Sequence, residues 1–229
     1  MVSNPYLEKW VILRPKFRSV AMSKKYYDQV SVGKRTKQRA FFVQNHDKNR
    51  MFVELLASLE GKKVLLFLNS KRKGDELLEY LSSKEIDVFC AHGNHRDSHI
   101  EEAAAAFNAA LSGVFITTDM TFAKLTLEGV SVIVNYDLPL EAADYFKRLL
   151  VVDEVGESIV FVDPEDEATV AHIEQMMKCE MQEEELEGFV HTKREQTPPK
   201  DKSKKPRHKK VEQRAKRKAE IKSKWVPSE

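Results

Sequence analysis

The chain has 229 residues, enough for one α/β domain with a sizeable core and for extensions around it. Its two cysteines exclude a disulfide framework, and we find no long apolar segment and no signal peptide. These features exclude a membrane partner and predict a cytoplasmic protein, or a nuclear or nucleolar one if the source is a eukaryote.

The chain divides into an irregular beginning, a regular middle and a charged end. Residues 1–35 mix aromatic and basic side chains, and a short helix is predicted only near residues 20–28. From residue 36, short β-branched or aromatic runs alternate with stretches of helical apolar spacing, which predicts a doubly wound parallel sheet with helices on both faces. Strands are predicted at residues 38–44, 64–68, 88–90, 114–117, 130–134 and 158–162, and helices at 48–59, around 77–81, at 95–111 and 141–149, and after 163–164.

Polar residues end two of the predicted strands. Thr118 and Asp119 follow the run at residues 114–117, and Asp137 closes the run that begins at residue 130. Ligands of open parallel sheets bind at the carboxyl ends of the strands. These three side chains are therefore predicted to lie where a ligand would bind.

The charge is unevenly distributed along the chain. Residues 191–229 carry 15 basic and 5 acidic side chains, a net of +10, which leaves 23 basic and 31 acidic side chains, a net of −8, for residues 1–190. Residues 181–229, acidic and then basic, have too few apolar side chains to offset the entropy of ordering, so we predict a disordered tail.

A basic tail of this kind predicts a polyanionic partner, with nucleic acid favoured over a merely solubilising role. Its tryptophan beside the basic run is predicted to stack on a base. The predicted nucleic-acid contacts in the tail are Lys204, Lys205, Arg207, Lys209, Lys210, Arg214, Lys216, Arg217, Lys218, Lys222, Lys224 and Trp225.

Six segments of the regular part occur in the order and at the spacing of a known family. They are residues 63–70 (KVLLFLNS), Ala91-His92-Gly93 with Phe107 beyond it, Thr118-Asp119, residues 133–139 (IVNYDLP), Tyr145 with Arg148, and residues 162–166 (VDPED). With them, residues 36–180 resemble the second, C-terminal RecA-like domain of DEAD-box RNA helicases. The resemblance implies a RecA-like sheet and nucleic-acid contacts at His92, Gly93, Thr118, Asp119, Lys124 and Arg148.

Motif V departs from the family pattern T-D-x-A-x-R-G-x-D. The arginine, glycine and final aspartate positions hold Ala123, Lys124 and Thr126. A glycine lets the backbone approach a phosphate closely, so Lys124 blocks that approach while adding a charge. In the helix after His92-Gly93, the family's glutamine and arginine are replaced by Asp97 and Ile100.

Motif VI departs further from the family pattern H-R-x-G-R-x-G-R. The resemblance assigns the last two arginines to the γ-phosphate as arginine fingers, and here those positions hold Val151 and Glu154. The histidine has become Lys147, and the first arginine survives as Arg148. Arginine fingers contribute about 10³–10⁵ to phosphoryl-transfer rates, so the substitutions predict lost ATP hydrolysis.

The sequence also contains no phosphate-binding G-x-x-x-x-G-K-[ST] loop and no Asp-Glu-Ala-Asp run. Residues 1–35 resemble the segment that links the two RecA-like domains. The chain is therefore expected to be a stand-alone remnant or a fragment of a longer protein, and its initial methionine favours the remnant.

Several candidate site residues also have a structural interpretation. Asp119 is expected to brace its neighbours, Arg148 to hold an ion pair inside the domain, and Thr118 to serve strand packing or a phosphate equally well. His92 is expected to cap or pack in a turn. His92, His95 and His99 are close in sequence, but no cysteine or carboxylate pattern accompanies them, so we predict no metal site.

These observations favour a non-catalytic DEAD-box helicase-like domain that binds RNA mainly through its basic tail, as a scaffold in the remodelling of RNA or ribosome particles. No catalytic residue and no cofactor is predicted. The alternative is the second half of an ATP-dependent RNA helicase, completed by a first RecA-like domain in trans or in a longer chain. An unrelated α/β enzyme using Asp119, Asp137 and His92 would require an accidental resemblance.

Overall fold

The computed structural model describes residues 28–152 and 156–192. Within them, seven parallel strands form one sheet in the order β3-β4-β2-β5-β6-β1-β7. The predicted parallel sheet is confirmed, and the six predicted strands are displaced by at most two residues at either end. The strands are β1 Lys37–Phe42, β2 Lys63–Phe67, β3 Val88–Ala91, β4 Gly113–Thr117, β5 Val132–Asn135, β6 Glu157–Val162 and β7 Gln182–Glu183.

Helices cover both faces of the sheet, as predicted. Alternate residues of β2 divide between two cores, with Leu65 and Phe67 in one and Val64 and Leu66 in the other. The first core also receives side chains from α1, α4, α6 and α7, and the second from α2 and α3. The helices are α1 Gln29–Arg35, α2 Lys48–Leu56 with a 3-10 turn Ala57–Leu59, α3 Lys71–Ser82, α4 Asp97–Ala109, α5 Asp119–Phe122, α6 Ala142–Leu149 and α7 Glu167–Met177. Among the described residues, no helix has both the length and the apolar content that crossing a bilayer requires.

Helix α1 packs on the domain from the segment that precedes the first strand. Asp28 caps it by accepting a hydrogen bond from the backbone N–H of Val30 at 3.1 Å. The Arg35 guanidinium donates to the carbonyl oxygens of Leu149 and Val152 at 3.3 Å each, and so satisfies carbonyls at the end of α6. The short helix predicted near residues 20–28 lies outside the described residues except for this cap.

The prediction that the disordered tail begins at residue 181 is wrong for residues 181–192. Strand β7 pairs with β1, and the Arg39 guanidinium binds the Glu184 carboxylate at 2.5 Å. Leu186 and Phe189 pack against the second core, and Thr192 is held by hydrogen bonds to Asp47. Amino-acid composition did not predict this order. A few apolar side chains, together with pairing to β1 and its Arg39, suffice to order an acidic segment. Residues 193–229, with every predicted tail contact, lie outside the described residues.

Candidate functional site at the carboxyl edge of the sheet

Polar side chains converge where three adjacent strands end. Strand β2 lies between β4 and β5, so the residues that follow these strands share one edge. Thr118 and Asp119 follow β4, while Asn135 ends β5 and is followed by Asp137. This placement agrees with the position predicted from the sequence.

Arg148 is the centre of this edge and is completely buried. Its Nε and Nη2 donate to the two carboxylate oxygens of Asp119 at 2.7 Å each. Its Nη1 donates to Asn135 Oδ1 and to the Asp137 carbonyl oxygen, both at 2.9 Å. The guanidinium also lies over the Phe67 ring, 4.6 Å from its centroid. Arg148 therefore ties α6 to β5 and α5, as the ion-pair interpretation expected, and directs these donors inward rather than toward a nucleic acid.

A buried lysine holds the other side of the edge. The Lys48 side chain is 1% exposed, and its Nζ donates to the Tyr136 carbonyl oxygen at 2.9 Å and lies 3.8 Å from Asp137 Oδ1. Burial lowers the pKa of Lys48, against the opposing effect of Asp137 and Asp166. Lys73 Nζ binds Asp137 Oδ1 at 2.8 Å. Asp137 is thus neutralised by two lysines from α2 and α3.

Sequence reasoning missed Lys48, although a signal was present. Lys48 precedes Met51 and Phe52 by three and four residues, the spacing that places residues on one helix face. Both of those side chains are buried. Helical periodicity thus indicates that Lys48 lies on the buried face of α2, where its charge requires partners.

The residues of motif V form the short helix α5. The Thr118 side chain is buried, and its hydroxyl donates to Thr121 Oγ1 at 3.3 Å. Ala123 and Lys124 follow the helix and are exposed. Thr118 therefore serves local packing, while Lys124 is the motif V residue that presents a charge at the surface.

The first arginine-finger position is part of the core boundary. Val151 is half-buried and packs against the first core, close after the end of α6. Lys147 is exposed on α6 and pairs with Asp144. Glu154, at the second finger position, lies outside the described residues. An apolar side chain thus occupies the first position, which the resemblance assigns to a phosphate-binding arginine.

A second polar cluster lies at the end of β3. His92 is 1% exposed, and its Nε2 lies 2.8 Å from Asp75 Oδ1 on α3. The His95 ring stacks on that of His92 with centroids 4.0 Å apart, and its Nδ1 accepts the His92 backbone N–H at 3.4 Å. Burial and the neighbouring His92 and His99 lower the pKa of His95. His92 therefore packs in its turn as expected, but with a carboxylate that the sequence pattern did not reveal.

Gly93 and Cys90 flank this turn in different surroundings. Gly93 is exposed, and a Cβ built on it would lie 3.0 Å from Lys71 Nζ. Cys90 is buried, and burial raises the pKa of its thiol to about 12. The thiol therefore remains protonated, as expected of a small apolar core residue.

Two of the cavities in the described part of the chain lie next to Tyr136 and next to strand β7. One of about 240 Å³ is bounded by side chains that include Asn49, Lys73 and Tyr136. Another of about 380 Å³ lies beside the β7 segment, against Phe42 and Leu186. Neither cavity is lined by Arg148 or Asp119.

Comparison with known proteins identifies similar sequences. Residues 47–150 match the family model of the helicase conserved C-terminal domain. A probable vasa-like ATP-dependent RNA helicase of Penaeus vannamei is 30% identical over 139 residues, 58% of this chain and 20% of that protein. The ATP-dependent RNA helicase SUB2-2 of Vanderwaltozyma polyspora is 28% identical over 151 residues, 64% of this chain and 34% of that protein. The chain therefore spans about a fifth to a third of the length of these relatives.

Solved structures share the fold. The E. coli DEAD-box protein SrmB, solved with the regulator of ribonuclease activity A, superposes with a TM-score of 0.63 at 17% identity, covering 69% of this chain and 98% of that one. Dbp5 of S. cerevisiae, bound to RNA and ADP BeF3, gives 0.61 at 24% identity over 69% of this chain and 42% of that one. Domain 2 of the DEAD-box helicase Mss116p, bound to an RNA duplex, gives 0.57 at 16% identity over 65% of this chain and 64% of that one.

Proposed function

We propose that this protein is a non-catalytic RNA-binding module. The premise is the match of residues 47–150 to the helicase conserved C-terminal domain, in a fold shared with DEAD-box proteins. In this proposal the folded domain is a scaffold, and the basic residues after position 190 supply most of the affinity for RNA. A role in the remodelling of RNA or ribosome particles follows by analogy with the family.

The observation that carries the non-catalytic part is the packing of Val151. A half-buried valine against the core donates no hydrogen bond to a phosphate at a position where the family has an arginine. The neighbouring Arg148 is no substitute, because its guanidinium is buried among Asp119, Asn135 and Asp137.

The charge distribution supports RNA binding by the tail. A net of +10 over residues 191–229 follows a body of net −8, so a polyanion is attracted to the tail and repelled elsewhere. The edge of the domain adds little charge for a nucleic acid, because Lys48 and Lys73 already pair with Asp137. The relative Mss116p binds an RNA duplex through its second domain, which supports RNA over other polyanions.

The experiment is anisotropy of a labelled single-stranded RNA with the full chain across a salt series. The test variant replaces Lys204, Lys205, Arg207, Lys209 and Lys210 with glutamine. The matched control replaces with glutamine five exposed basic residues of the body that are not among the predicted nucleic-acid contacts, Lys34, Arg72, Lys84, Arg96 and Lys178. Each lost phosphate contact makes the decline of log K with log salt less steep by roughly 0.7 for single strands, so the loss of five contacts reduces its steepness by up to about 3.5.

The two charge variants distinguish the tail from the domain. We expect weaker binding and a smaller slope in the tail variant, and nearly unchanged binding in the control. A loss confined to the control would place the binding surface on the domain, and equal losses would contradict a dominant role for the tail. No binding by the parent chain would overturn RNA binding altogether.

ATP turnover is measured on the same samples, alone and with the first RecA-like domain of a relative added. We expect no RNA-stimulated ATP turnover by this chain, either alone or with that domain added. Turnover in the mixture would contradict the non-catalytic proposal and favour the alternative, in which this chain is the second half of an ATP-dependent RNA helicase.

A further inference from the structure

Three side chains with metal-ligating atoms meet at the end of β3. Asp75 on α3, His92 after β3 and His95 before α4 each offer one ligand atom, and these atoms lie within 4.8 Å of one another. We propose that Asp75, His92 and His95 bind one divalent transition-metal ion of the zinc type. The proposal does not depend on the proposed function.

The donor set selects the class of metal. Two imidazole nitrogens and one carboxylate oxygen suit Zn²⁺, whose protein sites often combine three such ligands with a water in the fourth position. Magnesium and calcium prefer oxygen ligands throughout, so the two histidines disfavour them. Asp97 is the carboxylate closest to His95 in the sequence, but it is not part of this cluster; the fold instead supplies Asp75 from α3, 17 residues before His92.

The cluster combines one buried side chain with two more exposed ones, and movement of the exposed pair brings the ligand atoms within binding distance of one ion. Zinc–nitrogen bonds of about 2.0–2.1 Å place tetrahedral ligand atoms roughly 3.3 Å apart, so atoms up to 4.8 Å apart must approach one another. His92 is buried, whereas the Asp75 side chain is 54% exposed and His95 is half-buried. Rotation of the two more exposed side chains accomplishes the closure without moving the core.

One ring nitrogen of His92 has no hydrogen-bond partner among the described residues. Its Nε2 meets Asp75, while the buried Nδ1 meets no polar group of residues 28–152 or 156–192 at hydrogen-bond distance. Buried polar atoms are normally paired, so this ring is only half satisfied by the protein. Metal binding by His92 therefore breaks no hydrogen bond at Nδ1, and at Nε2 the contact with Asp75 is replaced by a shared metal without rotation of the buried ring.

A bound ion would join α3 to the turn between β3 and α4. In the described structure the side-chain hydrogen bonds across this junction include the one between His92 and the exposed Asp75 carboxylate and one from Lys71 Nζ to Asn94 Oδ1 at 3.2 Å. Metal coordination is stronger, and it stabilises the folded state by an amount that rises with the logarithm of the free ion concentration once that exceeds the Kd. The expected consequence is a zinc-dependent rise in thermal stability.

The test is calorimetric titration of the metal-free full chain with Zn²⁺, together with the visible absorption of a Co²⁺ complex. The test variants are Asp75→Asn, which still accepts a hydrogen bond from His92 but is a poor ligand, and His95→Ala. The matched controls are Asp87→Asn and His172→Ala, both at exposed positions outside the cluster. Cys179→Ser examines the exposed thiol as a competing ligand.

We expect one ion per chain, affinity lowered by about tenfold or more in each test variant, and unchanged affinity in the controls. Zinc should raise the melting temperature of the parent chain more than that of either variant. Circular dichroism establishes that each variant is folded. Undetectable binding at roughly 100 μM Zn²⁺, or equal affinity in Asp75→Asn, His95→Ala and the parent chain, overturns the proposal.

Discussion

The guanidinium of Arg148 and the carboxylate of Asp119 form a two-pronged ion pair with both N–O distances at 2.7 Å. The two partners differ in burial, since the Arg148 side chain is 1% exposed and the Asp119 side chain is 40% exposed. It joins α6 to the first residue of α5 and so holds the carboxyl edge together. Removal of the anion is therefore expected to cost more than loss of an ordinary surface pair.

Substitution Asp119→Ala should lower the free energy of unfolding by about 3–5 kcal/mol, because it leaves a buried guanidinium without its counter-charge. Asp119→Asn keeps an acceptor oxygen and should cost less. Urea unfolding followed by circular dichroism measures both. The control is Glu76→Ala, which removes an exposed pair with Arg72 and should cost at most about 1 kcal/mol. Equal losses in Asp119→Ala and Glu76→Ala would contradict a structural role for the Arg148 pair.

Substitution Lys48→Met should destabilise the protein by about 1–3 kcal/mol at neutral pH, since the buried Tyr136 carbonyl loses its donor. Burial lowers the pKa of Lys48 in the folded protein. Between that lowered pKa and the ordinary lysine pKa near 10.4, the unfolded chain holds more protons, so folding becomes more favourable as pH rises. The stability difference between the parent chain and Lys48→Met should therefore widen toward pH 10.

Urea unfolding at several pH values between 7 and 10 measures this difference. The control is Lys34→Met at an exposed position of α1. A difference that narrows with rising pH would mean that burial does not disfavour the charged form of Lys48.

The contact between Asp47 and Thr192 should make the order of the β7 segment depend on pH. Burial alone raises the pKa of Asp47, but the hydrogen bonds from Thr192 and the nearby Arg50 hold it below its usual value. Such a carboxylate stabilises the fold fully above its unfolded pKa near 3.9, and the contribution is lost as pH falls through the lower folded pKa. Protection of the Glu184 amide, which donates to the Ala40 carbonyl at 2.9 Å, should decline in that acidic range.

Hydrogen exchange measured with Asp47→Asn provides the comparison. This variant should show weaker protection at neutral pH and a smaller further loss on acidification than the parent chain. Some loss remains because the hydrogen bond from Arg39 also holds the pKa of Glu184 below its usual value. Identical acid dependence in the parent chain and the variant would assign the effect to other carboxylates.

Substitution Gly33→Ala should destabilise the protein by about 1–3 kcal/mol through overpacking between α1 and α7. A Cβ at position 33 would lie 2.7 Å from Met177 Cβ, a distance that requires the helices to separate. Intrinsic helix propensity favours alanine by about 1 kcal/mol, so a gain in stability would show that α1 does not pack as described. Hydrogen exchange of the Val32 amide, with Lys34→Ala as the exposed control on the same helix, measures the local effect.

Much of the fold was predictable because its signals are local. The β-branched runs and helical apolar spacing placed six strands within two residues of their observed ends. Strand β7 was missed because two exposed glutamine and glutamate residues carry no strand pattern. Its order comes from the pairing with β1 and from Arg39, which are remote in the sequence.

The candidate sites likewise combine features that local sequence predicts with contacts that only the fold creates. The motif positions predicted an ion pair for Arg148 and a bracing role for Asp119, but not that these two residues pair with each other, that Lys48 neutralises Asp137 or that Asp75 completes a cluster with His92 and His95. These partners lie on other helices, and no spacing within one element reveals them.

The sequence by itself determined the parallel α/β fold, the family resemblance and the separation of an acidic body from a basic tail. Hydrophobic period and total charge are properties of the chain that need no knowledge of its path. Only the tertiary structure decided which charges face each other, because Lys48, Asp137, Arg148 and Asp119 meet through the crossover order of β4, β2 and β5. Burial then makes those pairings obligatory, since an unpaired charge in the core costs more than the fold can offset.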